Sequence, residues 1–395
     1  MLNSKSLIGL FLVVGTAIGA GVLSLPQATY IGGFWGTVLS LIVVWLFMTI
    51  AAVNMLKARL IFKAEADLQT MTQQLLGKKM SVFTQISYLC LLIVLVAAYV
   101  IMGAAWIQNF LLSACNIVVD GVHVQWVFTV LTAALIYSGL GNLGVVNNLI
   151  TLIMLFFLGA IITWCVPSVD GGELSGFHPT NNISTIPLIL TTFGFSIIVP
   201  SLVPFMNNNY KSVLQILLIG SVVILLVYIF WVLATFGVVG SKELQDLAAA
   251  STNGTDILNS LSVKTGSSLM AVFGSGFVVT GVISSLLGVG QCLYSFLQDL
   301  LPMPASRLRS VFSITLGFLS PFLFIQFYQK GIGQILAFGG IFVAVILGII
   351  PTLMMLSKKY AELCGDSISQ KQRLLQWFVL LFFIGAIFVE VSNLL

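Results

Sequence analysis

Residues 15–26 read GTAIGAGVLSLP and lie inside an apolar run that starts at Ser6. Gly15, Gly19 and Gly21 fall within seven residues, and Pro26 follows. Glycine weakens a helix through its conformational freedom; proline lacks a donor and clashes with the preceding turn. In a lipid bilayer such an interruption is tolerated only where protein or a water-filled cavity satisfies the freed backbone. The stretch therefore predicts a helix broken at the depth where breaking is costliest.

The rest of the chain says that this depth is a membrane. Of the 395 residues, 59% are hydrophobic and 7% charged, with a mean hydropathy of +1.11. A soluble domain carries about 25% charged residues, so the chain is all-α, polytopic and membrane-bound. Stretches without Lys, Arg, Asp or Glu delimit eleven spans: 6–31, 34–58, 81–113, 124–139, 146–166, 184–207, 212–239, 267–298, 309–327, 332–356 and 374–394. A span needs roughly 20 apolar residues. The apolar runs are continuous and lack the period-2 alternation of a membrane β-barrel.

With the N-terminus inside, 13 of the 16 Lys and Arg lie in inner loops; only Lys242, Lys264 and Lys330 lie outside. That bias places the N-terminus in the cytoplasm and, with an odd number of spans, the C-terminus outside. The net charge of +4 follows from this topology and offers no nucleic-acid surface. The first helix reads as retained, and 1–395 as one transmembrane domain. The stretch FKAEADLQTMTQQLLGKK, 62–79, predicts an interfacial helix. The outer connection 240–266 is long enough to cover the outer mouth. Cys115 and Cys165 read as small apolar side chains, with a bridge between them as the alternative.

The break recurs. TTFGFSIIVPSLVP, 191–204, again puts glycine in mid-span, then an apolar stretch, then proline. Each break opens a set of five spans. This predicts a 5+5 inverted repeat, 6–166 and 184–356, with broken helices 1 and 6 and one extra C-terminal helix, 374–394. Freed N–H groups beside a half-helix N-terminus suit an anion, and freed carbonyls suit a cation. The N–H groups of Ala20 and Gly21 are therefore assigned to the carboxylate of an amino acid. Carbonyls near Thr16, Ala17 and Phe193 are assigned to its ammonium. Gly19, Gly194 and Ser196 complete the two breaks. Phe193, Phe195 and Tyr99 suit an aromatic or bulky apolar side chain. Ser284 and Ser285, facing the Ala17 carbonyl, would make an oxygen-lined site for a cation such as sodium.

Four stretches carry a family resemblance: GTAIGAGVLSLP, Ala97-Ala98-Tyr99, FGFxxxVPSLVPFMxxNxK at 193–211, and SSLLGVGQCLYSFLQDL at 284–300. Together they resemble the aromatic amino acid permeases. These are the bacterial tyrosine and tryptophan permeases, whose wider family includes serine and threonine carriers. The resemblance spans nearly the whole chain. It implies the inverted-repeat fold of the amino acid–polyamine–organocation superfamily and proton-coupled uptake across the inner membrane. Met154, Ser295 and Ser196 stand where that family often carries lysine, aspartate and histidine. The acids left within spans are Asp299 and Glu390, both near span ends, and His123 and His178 fall in outer loops. No proton carrier is visible in mid-span.

The absence of a G-x-x-x-x-G-K-[ST] loop excludes ATP drive through such a site. A channel would need a continuous polar pore, and an enzyme a nucleophile–base or metal cluster within the spans. A sensor would need a soluble signalling domain. The expectation is a secondary transporter with an amino acid, a coupling proton or sodium ion and the lipid bilayer as partners, and no cofactor. Aromatic substrates come first, with another neutral amino acid such as serine as the alternative.

Overall fold

The computed structural model describes residues 4–62, 66–138, 143–249, 256–304, 306–328, 330–364 and 369–395. Among them there are helices and turns and no strand. Helix α1 runs Ser4–Ala17, breaks, and resumes as Ala20–Leu23 and Ser24–Thr29. Then follow α2 (Gly33–Leu60), α3 (Lys78–Cys115), α4 (Gly121–Tyr137) and α5 (Leu143–Cys165). Helix α6 is split into Ile186–Thr192 and Val199–Phe205 around a 3-10 turn at Gly194–Ile198. After it come α7 (Tyr210–Val239), α8 (Ser268–Leu300) and α9 (Arg307–Phe327). Helix α10 runs from Ile332 to Leu356 with a π-helical segment at Ala344–Ile349, and α11 is Gln370–Leu394.

Nine described helices are long and apolar enough to cross a membrane, and Lys5–Ala17 and Gly121–Tyr137 are shorter apolar ones. With those two they make the eleven expected segments. The charge-free run 6–56 divides at Gly33, whose φ of +68° is open to glycine and strained for other residues. A Cβ there would also collide with the backbone of Gly176. Helix α3 has 38 residues, about 57 Å at 1.5 Å per residue. That exceeds the bilayer core, so α3 must tilt or protrude.

Helix α8 lies between α5 and α3, α7 against α1 and α2, and the first half of α6 against α10. Helix α11 packs outside the two sets of five, on α10 and α2. It is held there by reciprocal amide bonds between Asn54 and Gln376 (2.6 and 3.2 Å). Within 62–79 a helix forms at Leu68–Leu76, capped by Asp67, which accepts from the Thr70 N–H at 2.8 Å. Its Met71, Thr72 and Leu75 are buried, and the helix rests on α3. The connection 240–266 contains helices Ser241–Ala249 and Asp256–Thr265. These two are linked by the Lys264–Glu243 ion pair at 3.2 Å. Cys115 is exposed, Cys165 buried, and both are free.

Candidate functional site

At the α1 break, the last α-type bond runs from the Ile18 N–H to the Val14 carbonyl (2.9 Å). The next turn begins with the Val22 N–H donating to the Gly19 carbonyl (3.1 Å). The N–H groups of Gly19, Ala20 and Gly21 fall between these bonds, as the first donors of any helical turn do.

Helix α7 braces both breaks. The Tyr228 hydroxyl lies 2.9 Å from the Ala17 carbonyl and 2.6 Å from the Thr192 carbonyl. One turn along, Trp231 Nε1 donates to the Val22 carbonyl at 3.0 Å. A phenol has one hydrogen to donate. The two carbonyls therefore share it, and acceptor capacity remains where the breaks meet.

A cavity of about 390 Å³ occupies that meeting point. Helix α1 contributes Thr16, Ala17, Gly19 and Gly21; α3 contributes Tyr88 and Tyr99; α5 contributes Asn148 and Thr151. Helix α6 contributes Thr191, Thr192, Gly194 and Ser201, and α8 contributes Ser284, Ser285 and Cys292. Hydroxyls gather on one side. Thr151 Oγ1 and Ser284 Oγ are 2.9 Å apart, and the Ser285 hydroxyl pairs with that of Tyr99. Gly19 packs closely here: a Cβ would lie 2.6 Å from Ser285 Oγ, and the hydroxyl would have to rotate away from Tyr99 to admit it.

The cavity is closed at one end and open at the other. Val22, Leu336 and Val343 are buried at its closed end. Phe11, Thr16, Asn148, Ser201 and Cys292 are exposed and lead toward the face that carries the N-terminus. A second cavity, about 470 Å³, lies on the opposite side. The first half of α6 and the first part of α10 line both cavities and partition them.

Of the residues expected at the site, the structure brings Thr16, Ala17, Gly19, Gly21, Tyr99, Gly194, Ser284 and Ser285 around one cavity. Ala20 lies in the 3-10 turn between Gly19 and Gly21. Phe193, Phe195 and Ser196 are fully buried and lie outside the lining. The 3-10 turn explains this: at three residues per turn, positions i and i+3 share a face. Gly194 and Ile197 share such a face and line the cavity, joined by Ile198 at the end of the turn where the α-helix resumes, while Phe195 and Ser196 turn into the core. Phe193 packs edge-on against Tyr228, ring centroids 5.0 Å apart. The aromatic walls come instead from Phe11, Tyr88 and Tyr99.

Tyr88, Thr151 and Tyr228 were missed from sequence. The first had a signal: Tyr88 and Tyr99 are eleven residues apart, three helical turns, on one stripe with Leu92 and Leu95. Thr151 and Tyr228 had none beyond being polar groups in apolar runs.

The model of the tryptophan/tyrosine permease family matches residues 3–390. The chain belongs to that family. The tyrosine-specific transport system 1 of Haemophilus influenzae is 26% identical to this permease, over 91% of the chain and 90% of the relative. Solved structures share the fold. The nucleobase-cation-symport-1 family transporter Mhp1, closed with bromovinylhydantoin bound, aligns with a TM-score of 0.65 at 11% identity, covering 98% of this chain and 91% of that one. MhsT in complex with L-phenylalanine aligns with a TM-score of 0.63 at 14% identity, covering 98% of each. This permease is a multi-pass membrane transporter.

Proposed function

We propose that this permease imports tyrosine or tryptophan across the bacterial inner membrane by proton symport, with its N-terminus cytoplasmic and its C-terminus outside. The observation that carries the substrate reading is the pairing of opposite backbone polarity in one cavity. The N–H gap at Gly19–Gly21 suits a carboxylate, and the Ala17 and Thr192 carbonyls, which share one phenol hydrogen, suit an ammonium. The volume of about 390 Å³ falls within the range of small-molecule sites. Phe11, Tyr88 and Tyr99 supply flat apolar surface for an aromatic side chain.

Two cavities separated by one partition support alternating access. Opening toward the N-terminal face corresponds to the cytoplasmic-facing state. Residues 6–166 and 184–356 act as the two inverted halves of one transport unit, with 374–394 outside them. A second reading, sodium coupling, is favoured by the hydroxyls of Ser284, Thr151 and Ser285 beside the α1 break.

One experiment separates these readings. The purified permease is reconstituted in liposomes, and labelled tyrosine, tryptophan and serine are offered under a proton gradient or a sodium gradient alone. The expected result is proton-driven accumulation of tyrosine or tryptophan, with serine a poor competitor. Stimulation by sodium alone, lost in the Ser284→Ala/Ser285→Ala double variant, would replace the proton. Serine winning the competition would replace the aromatic substrate. Downhill flux that neither gradient concentrates would make the protein a facilitator.

A further inference from the structure

Proton symport leaves a carrier to be found, since the middles of α1, α3, α5, α6 and α8 hold no acid, lysine or histidine. Among the described residues the spans bury one carboxylate, Glu390 of α11, which is 3% exposed. It lines the outer cavity of about 470 Å³ together with Tyr328, Lys330, Gln334 and Asn393. No ion pair to it is formed among the described residues. A carboxylate this buried is costly as a lone anion, so a proton or a cation is called for.

The carboxylate is also wired to the partition. Asn393 Nδ2 donates to Glu390 Oε2 at 3.3 Å and to the Ser184 carbonyl at 2.9 Å. An amide nitrogen carries two hydrogens, and both are engaged here. Ser184 lies in the turn Pro179–Thr185 that leads into the first half of α6. That half is locked to α10. Thr191 Oγ1 donates to the Leu336 carbonyl at 2.8 Å, and Gly340 lies flush on the Pro187 backbone, with no room for a Cβ. Thr191 and Leu336 face the central cavity; Thr185, Leu188, Gly333 and Ala337 face the outer one.

We propose that Glu390 is the outer proton-binding site of this permease, connected through Asn393 and Ser184 to the α6–α10 partition. The proposal rests on the proton-symport reading. A proton from the outer solution adds to the carboxylate and removes one negative charge, which weakens the hold on Asn393 and so on Ser184. The other ionisable groups facing the carboxylate are few. Tyr328 and Lys330 come from the α9–α10 connection, while α1, α6 and α10 present none to this cavity. Helix Ser241–Ala249 presents Leu247 and Ala248, with Lys242, Glu243 and Asp246 off the lining.

The test compares wild type, Glu390→Gln and Glu390→Asp in liposomes. Two quantities are measured for the labelled amino acid: accumulation driven by a proton gradient, and exchange without any gradient. In the Gln variant, accumulation is expected to fall at least about tenfold further than exchange. The Asp variant is expected to recover accumulation with a displaced pH profile. Size-exclusion profiles and melting curves establish that the variants fold; should the Gln variant fail, an Asp variant with the wild-type pH profile overturns the proposal. Wild-type accumulation and pH profile in the Gln variant also overturn it, leaving proton symport intact. A raised KM with full accumulation overturns it by making the carboxylate a partner of the substrate's ammonium. A wild type that no proton gradient stimulates overturns the symport reading and the proposal together.

Discussion

At the α1 break the backbone itself faces the cavity: Ala17, Gly19 and Gly21 all line it, and three consecutive N–H groups precede the next turn. At the α6 break only Gly194 of the residues 193–196 reaches that cavity. Phe193, Phe195 and Ser196 are turned into the core, and among the described residues Ser196 Oγ has no hydrogen-bond partner. Two interruptions built from the same residue types thus divide the work. The first lines the cavity along Ala17, Gly19 and Gly21. The second is a braced corner, pinned through the Thr192 carbonyl to Tyr228, which holds the first break by the same hydroxyl.

The comparison is broken most directly by glycine substitutions. Gly19→Val should cut uptake by about 100-fold or more, equivalent to about 2.7 kcal/mol, because its Cβ would lie 2.6 Å from Ser285 Oγ. Gly194→Ala should stay within about threefold of wild type, since the nearest atom to its Cβ is Leu347 Cδ1 at 4.0 Å. Initial uptake rates, normalised to protein in the membrane, check both. Equal losses at the two glycines would erase the distinction.

Next in size is Tyr228→Phe. It strips two break carbonyls of their shared donor, and an unsatisfied buried acceptor costs about 1–3 kcal/mol. Uptake should fall about tenfold, with a lower melting temperature. If the hydroxyl only braced the core, the melting temperature would drop without a change in KM. The smallest effect is expected for Phe193→Leu. It should cost about 1 kcal/mol of stability through lost packing against Tyr228 and leave the preference between tyrosine and tryptophan unchanged. Tyr88→Leu should shift that preference, as competition curves would show. A preference change at Phe193 would return the second break to the binding surface.

The spans were legible because charges are excluded from the bilayer, so charge-free runs mark the helices to within about four residues, although glycines rather than charges divide the runs that hold two. The breaks were legible because the Gly–Pro pattern, common singly in membrane helices for packing or kinks, recurs at matching positions of two five-helix sets. What faces the cavity at the second break was not. A reading by glycine and neighbouring aromatics treats 193–196 as one surface, while a turn of three residues points successive side chains about 120° apart. Tyr228 was hidden for another reason. Its two acceptors are 211 and 36 residues away, and a lone tyrosine in an apolar run does not reveal its partners. The Thr151–Ser284 pair, 133 residues apart, was out of reach in the same way.

Helix α10 carries one more consequence. Between Ala344 and Ile349 it winds as a π-helix, closing its rings with i→i+5 bonds. Such a stretch holds a residue more than an α-turn does. Were it to tighten to α geometry, Ile350–Leu356 would advance like a screw by one notch, about 1.5 Å along the axis and about 100° around it. Leu347 of this stretch touches the central cavity, and Gly348 seats the Phe383 ring of α11. The helix therefore holds a phase slip between the central cavity and its outermost neighbour, one that tightening would release without melting either end.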